Sequence, residues 1–182
     1  MTHIYDFNTV PETFTIRCPR CEAAAEFRFP FTLLGAHLTT HPKERAIAEA
    51  MQLDPNVKVE QWGGWTVLVH FPNIYPWQPP PAGEGYRRGE HGVSICPQCG
   101  HKGKHELSWP EDAYFNCEFK GQQLWAWTRG HARALKSYVD SKDRNVWHYP
   151  GYALFLLHVP KVFLTTKNRD GVSRRLERML EL

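Results

Sequence analysis

An α+β chain is predicted, with antiparallel hairpins up to about residue 128 and helices beyond it, and three observations predict it. Two Cys-Pro-x-Cys tetrapeptides, Cys18 to Cys21 and Cys96 to Cys99, are each flanked by short extended runs. Between and just after them, apolar residues alternate with polar ones at the period of a strand. Beyond Arg129 apolar residues recur at the three- and four-residue spacing of a helix.

The elements follow in order. Thr13 to Arg17 leads into the first tetrapeptide as a strand, and Ala25 to Phe31 alternates behind it. Gly92 to Ile95 leads into the second, and His105 to Trp109 returns behind Gly100. Strand, CPxC, strand therefore occurs twice, as a crude internal repeat. Because 74 residues separate Cys21 from Cys96, residues 30–92 read as an insertion with structure of its own. Pro42 to Met51 has proline at the first helical position, Glu44 in the first turn, and Ala46, Ile47, Ala50 and Met51 on one face, which predicts a short helix. Asp54-Pro55-Asn56 turns the chain. Val57 to Trp62 and Trp65 to Phe71 are extended runs about Gly63-Gly64, a hairpin signal, with Trp65, Val67, Val69 and Phe71 on one face. Pro72 to Pro81 holds five prolines together with Tyr75 and Trp77, and Gly83 to Gly92 is glycine-rich and charged, so this stretch reads as a stiff loop or connector.

Past the second tetrapeptide, Ala113 to Phe119 and Gln122 to Trp127 read as strands turned at Lys120-Gly121. Thr128 caps a helix from Arg129 to Ser141 that buries Leu135, Tyr138 and Val139. Tyr152 to Val159 is an apolar segment stopped by Pro160, and a helical turn follows through Lys161 to Lys167. Asp170 then caps a last helix with Val172, Leu176, Met179 and Leu180 on one stripe. The expected organisation is a hairpin sheet from residues 1–29 and 93–128, the 30–92 insertion, and a helical segment, 129–182, packed on the sheet.

Cys18, Cys21, Cys96 and Cys99 carry the chemistry. In a reducing compartment such pairs bind metal rather than form disulfides. Each CPxC turn points backbone N–H groups at its sulfurs, and two turns brought together give a closed tetrahedral shell for one structural Zn²⁺ per chain, the arrangement of a zinc ribbon. Two other readings compete. A CPxC pair at a helix N-terminus would be a thiol–disulfide oxidoreductase site, but neither pair opens an amphipathic helix. Cys18, Cys21, His37 and His41 have two-Cys two-His spacing, an alternative metal site that Pro30 and Gly35 oppose by interrupting the helix it requires. That site would also leave Cys96 and Cys99 to other ligands such as His101, His105 or Cys117. Cys117 alone reads as a small buried hydrophobe.

The order of CPxC, CPxCG, a strand near Trp109, the run Gly121-Gln-Gln-Leu124-Trp125-Ala126, a helix with His131 and Leu135 leading to Tyr138-Val139, then Val159-Pro160-Lys161 and Lys167-Asn168-Arg169, resembles a group of small bacterial zinc-ribbon proteins, some labelled transcription-factor-IIB-type. The resemblance spans residues 92–182 and, more weakly, 13–29. It implies a four-cysteine zinc site on Cys18, Cys21, Cys96 and Cys99 and no activity. The long insertion departs from the group's short loop, which places any specialised function there.

Charge and motifs limit the function classes. The net charge of +3 conceals an acidic part, with 11 Lys and Arg against 14 Asp and Glu in residues 1–128, and a basic one, with 11 against 5 in residues 129–182. A sequence pI of 8.6 is modest for a nucleic-acid binder. Arg174, Arg175 and Arg178 lie off the apolar stripe of the last helix, where they face solvent, contact phosphates or meet an acidic partner. Aromatic residues make up 13% of the chain with 7 Trp, and Trp62, Trp65, Tyr75 and Trp77 are of the types that anchor protein interfaces. No GxSxG, GxxxxGK, GxGxxG or HExxH occurs, and His101, His105 and Glu111-Asp112 lack the remaining parts of an HNH-like nuclease. No apolar run approaches the roughly 20 residues of a membrane-spanning helix, and the N-terminus does not read as a signal peptide. The expectation is a non-catalytic, cytoplasmic, zinc-stabilised module that binds a protein, or alternatively a nucleic acid, and does not engage the membrane.

Overall fold

The computed structural model describes residues 11, 13–35, 46, 49, 54, 56–62, 65–78 and 91–181. Nine strands lie among these residues: β1 (Thr13–Arg17), β2 (Ala24–Arg28), β3 (Phe31–Gly35), β4 (Val57–Trp62), β5 (Trp65–His70), β6 (His91–Ile95), β7 (Lys102–Glu106), β8 (Phe115–Phe119) and β9 (Gln122–Ala126). All pairings are antiparallel. The chain is α+β, as expected.

The principal sheet has the order β1-β2-β6-β7, so each CPxC joins an adjacent strand pair and β2 against β6 joins the two hairpins. Along β1 and β2 alternate residues are buried, Phe14 opposite Phe27 and Ile16 opposite Ala25, giving the sheet one core face. The outer edge of β1 is covered, because Thr15 N–H donates to Trp127 O (2.8 Å) and Arg17 N–H donates to Asp112 O (2.8 Å). Gly92 lies where the sheet needs no side chain: a Cβ there would fall 2.4 Å from both the Arg28 carbonyl oxygen and Phe27 Cζ.

Residues 30–92 add a second sheet, of order β3-β5-β4. Its third strand corrects the reading of Ala25 to Phe31 as one strand. That run breaks at Phe29-Pro30, β2 staying in the first sheet and β3 entering the second, with His70 N–H donating to the Pro30 carbonyl (2.7 Å). Proline has no N–H for a ladder, so the chain changes partners there. On the central strand β5, Val67 and Val69 share a face as expected, and Thr66 and Leu68 on the other face are buried as well, so both faces of the strand are covered. Ala46 and Glu49 are helical, within the expected Pro42 to Met51 element. Gly63-Gly64 and most of the glycine-rich run lie outside the described residues.

The helices are α1 (Arg129–Asp140), α2 (Ala153–Leu157), α3 (Lys161–Leu164) and α4 (Arg169–Glu181), with a 3-10 turn at Val146–His148. Thr128 caps α1 as expected, its side chain accepting from His131 N–H, and His131, Ala132, Leu135, Tyr138 and Val139 are buried. Asp170 is not the cap of α4 but lies in its first turn, because the helix begins at Arg169 and Val172 N–H already bonds to the Asn168 carbonyl. Val172, Leu176 and Met179 are buried as the stripe requires. α1 and α4 pack along each other, α4 lies on β8, and α1 on β9. The hairpin β8–β9 therefore forms its own two-stranded sheet beneath the helices.

One core runs through the first sheet, the β8–β9 hairpin and the helices, including Phe14, Phe27, Phe115, Leu135, Phe163 and Leu176. Each such side chain contributes about 1.5–3 kcal/mol by leaving water. Trp127 stacks on Phe14 (4.6 Å) and on Trp109 (4.3 Å), tying the sheet to the chain that leads into α1. No described helix is long and apolar enough to cross a membrane.

Candidate metal centre

The two CPxC turns repeat each other in detail. Arg17 pairs with Ala24 across the first hairpin and Ile95 with Lys102 across the second. Cys18 N–H donates to Ala23 O (2.8 Å), and Cys96 N–H donates to His101 O (2.8 Å). The residue after the second cysteine takes the left-handed conformation in both, Glu22 at φ 61° and Gly100 at φ 70°. Glycine adopts this freely, whereas Glu22 is held there by its N–H bond to Cys18 O (2.9 Å). A further N–H, from Arg20, points at Cys18 Sγ (3.4 Å).

Because β2 and β6 pair, the turns meet at one end of the sheet. All four sulfurs lie within 4.8 Å of one another. Cys18 Sγ is 3.7 Å from Cys99 Sγ, and Cys21 Sγ is 3.6 Å from Cys96 Sγ. A disulfide requires about 2.05 Å. Four thiolates about 2.3 Å from one tetrahedral centre would stand about 3.8 Å apart. The closest separations match the second geometry. Cys18 and Cys96 are buried against the core, Cys21 is exposed and Cys99 is intermediate, so the cluster lies at the surface with its inner half shielded.

Two of the thiols are shifted in opposite directions. Burial pushes the Cys18 thiol up, but N–H groups of Arg20 and Cys21 and the neighbouring sulfurs outweigh it and leave it lowered to about 7. At Cys21 the Ala23 N–H lowers the value, but burial and the three other sulfurs raise it to about 12. Cys18 thus gives up its proton readily while Cys21 holds its own, as expected of like charges in close contact. A cation among the sulfurs reverses this, and a soft, tetrahedral divalent metal fits a donor set made only of thiolates.

Among the described residues no other His, Cys, Asp or Glu joins this cluster. Cys117 lies apart from it, on β8, its thiol pushed up by burial. His105 Nε2 pairs with Asp112 Oδ2 (2.9 Å), and Asp112 Oδ2 also accepts from Ser108 N–H (2.7 Å), so these groups brace the turn after β7. His37 and His41 lie outside the described residues.

The expected partner-binding residues divide. Trp62 packs edge-on against Phe31 (4.6 Å) and donates from Nε1 to Glu60 Oε2 (2.8 Å). Trp77 donates from Nε1 to Phe71 O (3.2 Å). Tyr75 is exposed, but Lys104 Nζ sits 4.0 Å from its ring centre and Lys102 Nζ 4.6 Å from that of Phe71. The proline-rich segment is thereby pinned to β7, and these aromatics bind their own chain. The side chain of Trp65 lies outside the described residues. Of the expected phosphate contacts, Arg175 turns inward, donating from Nε to Glu118 O (2.9 Å) and covering the Phe119 ring, while Arg174 and Arg178 donate to carbonyls of their own helix and stay exposed. Sequence reasoning missed the exposed apolar side chains of Trp147, Leu154 and Leu157. Apolar content alone did not tell which members of the run Leu154-Phe155-Leu156-Leu157 face out. No protein-family model, curated protein or solved structure matches the chain.

Proposed function

We propose that the chain is a non-catalytic zinc-ribbon protein whose metal is structural and whose work is to bind another protein. The observation that carries the metal reading is the meeting of four sulfurs within 4.8 Å of one another on two equivalent turns. Zn²⁺ favours such a set, and four thiolates leave no open position for a substrate or water. Cys18, Cys21, Cys96 and Cys99 would hold it. The bound ion would offset two of the four thiolate charges and fix the β2–β6 junction, while the protein supplies N–H groups to the thiolates. Binding at such sites is worth about 10–16 kcal/mol, comparable to the whole stability of a domain.

A protein partner is favoured over nucleic acid by the inward engagement of Arg175 and by the modest net charge. Elemental analysis with thiol titration tests the metal reading. One zinc per chain with four protected thiols is expected, and Cys96→Ala should lose both the metal and the cooperative thermal transition. Full metal content and an unchanged melting temperature in that variant would overturn it. Steeply salt-dependent binding to generic DNA or RNA would assign the partner to nucleic acid instead.

A further inference from the structure

The four sulfurs of the cluster are not equivalent towards solvent. Cys18 and Cys96 are 1% and 2% exposed and belong to the core, whereas Cys99 is half-buried and Cys21 is exposed. In both turns, then, the first cysteine is enclosed and the second is nearer the solvent. The contacts between the turns are crossed. Cys21 Sγ stands 3.6 Å from Cys96 Sγ, and Cys99 Sγ stands 3.7 Å from Cys18 Sγ. Each accessible sulfur of one turn therefore touches an enclosed sulfur of the other.

That arrangement is the one thiol oxidation needs. An oxidant reaches a sulfur in proportion to its exposure, and the oxidised sulfur is captured as a disulfide when a second sulfur is already beside it. To pass from 3.6 Å to the length of a disulfide, about 2.05 Å, the two sulfurs of a pair close by about 1.6 Å between them, a distance that shared side-chain rotation covers. The backbone can stay in place meanwhile. Cys18 N–H bonds to Ala23 O and Cys96 N–H to His101 O within the turns, and the pairing of Glu26 with Ile95 sets one turn against the other.

We propose that the cluster is a site of reversible oxidation by hydrogen peroxide, entered at Cys21, with disulfides that join Cys21 to Cys96 and Cys18 to Cys99, across the turns and not within them. The Cys21 thiolate attacks one peroxide oxygen, the O–O bond breaks, and the products are a sulfenic acid on Cys21 and hydroxide. The Cys96 thiolate attacks that sulfur, the S–O bond breaks, and a disulfide and a second hydroxide result. A second peroxide oxidises Cys99 in the same way, and Cys18 captures it. Four thiolates thereby lose four electrons, two peroxides accept them, and four hydroxides form. Once the first disulfide has withdrawn two of the four ligands, the shell is no longer closed and the metal leaves.

The crossed pairing has a structural consequence. Its disulfides link cysteines 75 and 81 positions apart, so they tie turn to turn as the metal would. Disulfides within Cys18-Pro-Arg-Cys21 and Cys96-Pro-Gln-Cys99 would leave the turns joined by the β2–β6 ladder alone. Oxidation thus exchanges a metal link for a covalent one and releases the ion without parting the hairpins. The inference rests on the zinc reading and adds the regulation of that site.

The test is peroxide titration of the intact, zinc-loaded Cys117→Ala chain, in which the remaining cysteines are the four of the cluster. Zinc freed to a chromogenic chelator is followed alongside disulfide mapping by mass spectrometry of non-reduced peptides. Tryptic cleavage after Arg20 separates Cys18 from Cys21, and fragmentation distinguishes Cys96 from Cys99. Expected are one zinc released for about two peroxides consumed, a link from Cys21 to Cys96 that precedes the one from Cys18 to Cys99, and recovery of thiols and zinc uptake with dithiothreitol. Cys21→His keeps a zinc ligand and removes the exposed thiol, and it should slow release by about tenfold or more. Disulfides that join Cys18 to Cys21 and Cys96 to Cys99, sulfinic acids that dithiothreitol does not reverse, or release from Cys21→His as fast as from the parent overturn the inference. One zinc with four protected thiols that excess peroxide does not discharge overturns the redox site alone. A reduced chain that binds no zinc yet forms the crossed disulfides overturns the metal reading alone.

Discussion

Replacing Gly92 with alanine tests how tightly the junction between the two hairpins is built. The new Cβ would lie 2.4 Å from the Arg28 carbonyl oxygen and 2.4 Å from Phe27 Cζ, where ordinary contact begins at about 3.4 Å. Each neighbour must therefore retreat by about 1 Å. Arg28 is fixed in the ladder, paired with Thr13 on one side and Val93 on the other. Phe27 is fully buried, its ring 5.9 Å from that of Phe14 and 5.7 Å from that of Phe29. Overpacking against a rigid backbone group puts the loss at about 2–4 kcal/mol. With a urea slope near 2 kcal/mol/M, the midpoint falls by about 1–2 M at unchanged slope. The strain should also reach Cys96, because β6 delivers it to the sulfur cluster, so zinc transfer to a chromogenic chelator should be faster. Trimming the ring with Phe27→Leu should cost less in the Gly92→Ala background than in the parent, a coupling that a double-mutant cycle measures. A midpoint within about 0.25 M of the parent, or strict additivity in the cycle, would refute the steric argument.

Other outcomes follow from single environments. Burial lowers the His131 imidazole from 6.5 to about 4, so the folded chain keeps it neutral while the unfolded chain protonates. Stability should rise with pH through the window from about 4 to 6.5 and lose up to roughly 3 kcal/mol on acidification across it, an increment that His131→Gln should remove from urea titrations run in parallel. Cys117→Ala should leave metal content unchanged, and the raised Cys117 thiol should resist alkylation at neutral pH; loss of the metal in that variant would make it a ligand. Arg175→Ala, which removes the bonds to Glu118 O and Gly171 O and the cover over Phe119, should destabilise by about 1–2 kcal/mol in thermal melts, while Arg174→Ala should be nearly neutral. Equal effects would mean that Arg175 is not a structural clamp.

The parts of the fold legible in the sequence are those fixed by local chemistry. Thr128 names its helix because a hydroxyl before an amphipathic run satisfies free N–H groups, and the CPxC turns name theirs because proline and cysteine impose them. The strand after the second turn was misplaced at His105 to Trp109, whereas β7 is Lys102–Glu106. Lys-Gly-Lys-His-Glu shows no apolar alternation, being a polar edge strand, and its position is dictated by the turn instead. The signal was present: Arg17 to Ala24 and Ile95 to Lys102 span the same distance in sequence, so the first hairpin predicts the second. Meeting of the cysteine pairs was legible from spacing and composition, but the β2–β6 ladder that brings them together is a contact across the insertion, which local pattern does not encode. The inward turn of Trp62, Trp77 and Arg175 was hidden for the same reason, since a long side chain's partner depends on which element folds over it.

The separation of the two turns along the chain has a consequence for its birth on the ribosome. At about 5–20 residues per second, the 74 residues between Cys21 and Cys96 place several seconds between the appearance of the first thiol pair and that of the second. Throughout that interval β2 lacks its neighbour β6, and the β1–β2 hairpin presents two thiols to the cytosol or its equivalent without the pair that completes the cluster. The nascent chain must therefore keep Cys18 and Cys21 reduced and unmodified while the intervening sheet forms, and closure of the site becomes a late checkpoint that reports whether everything between the two turns has folded.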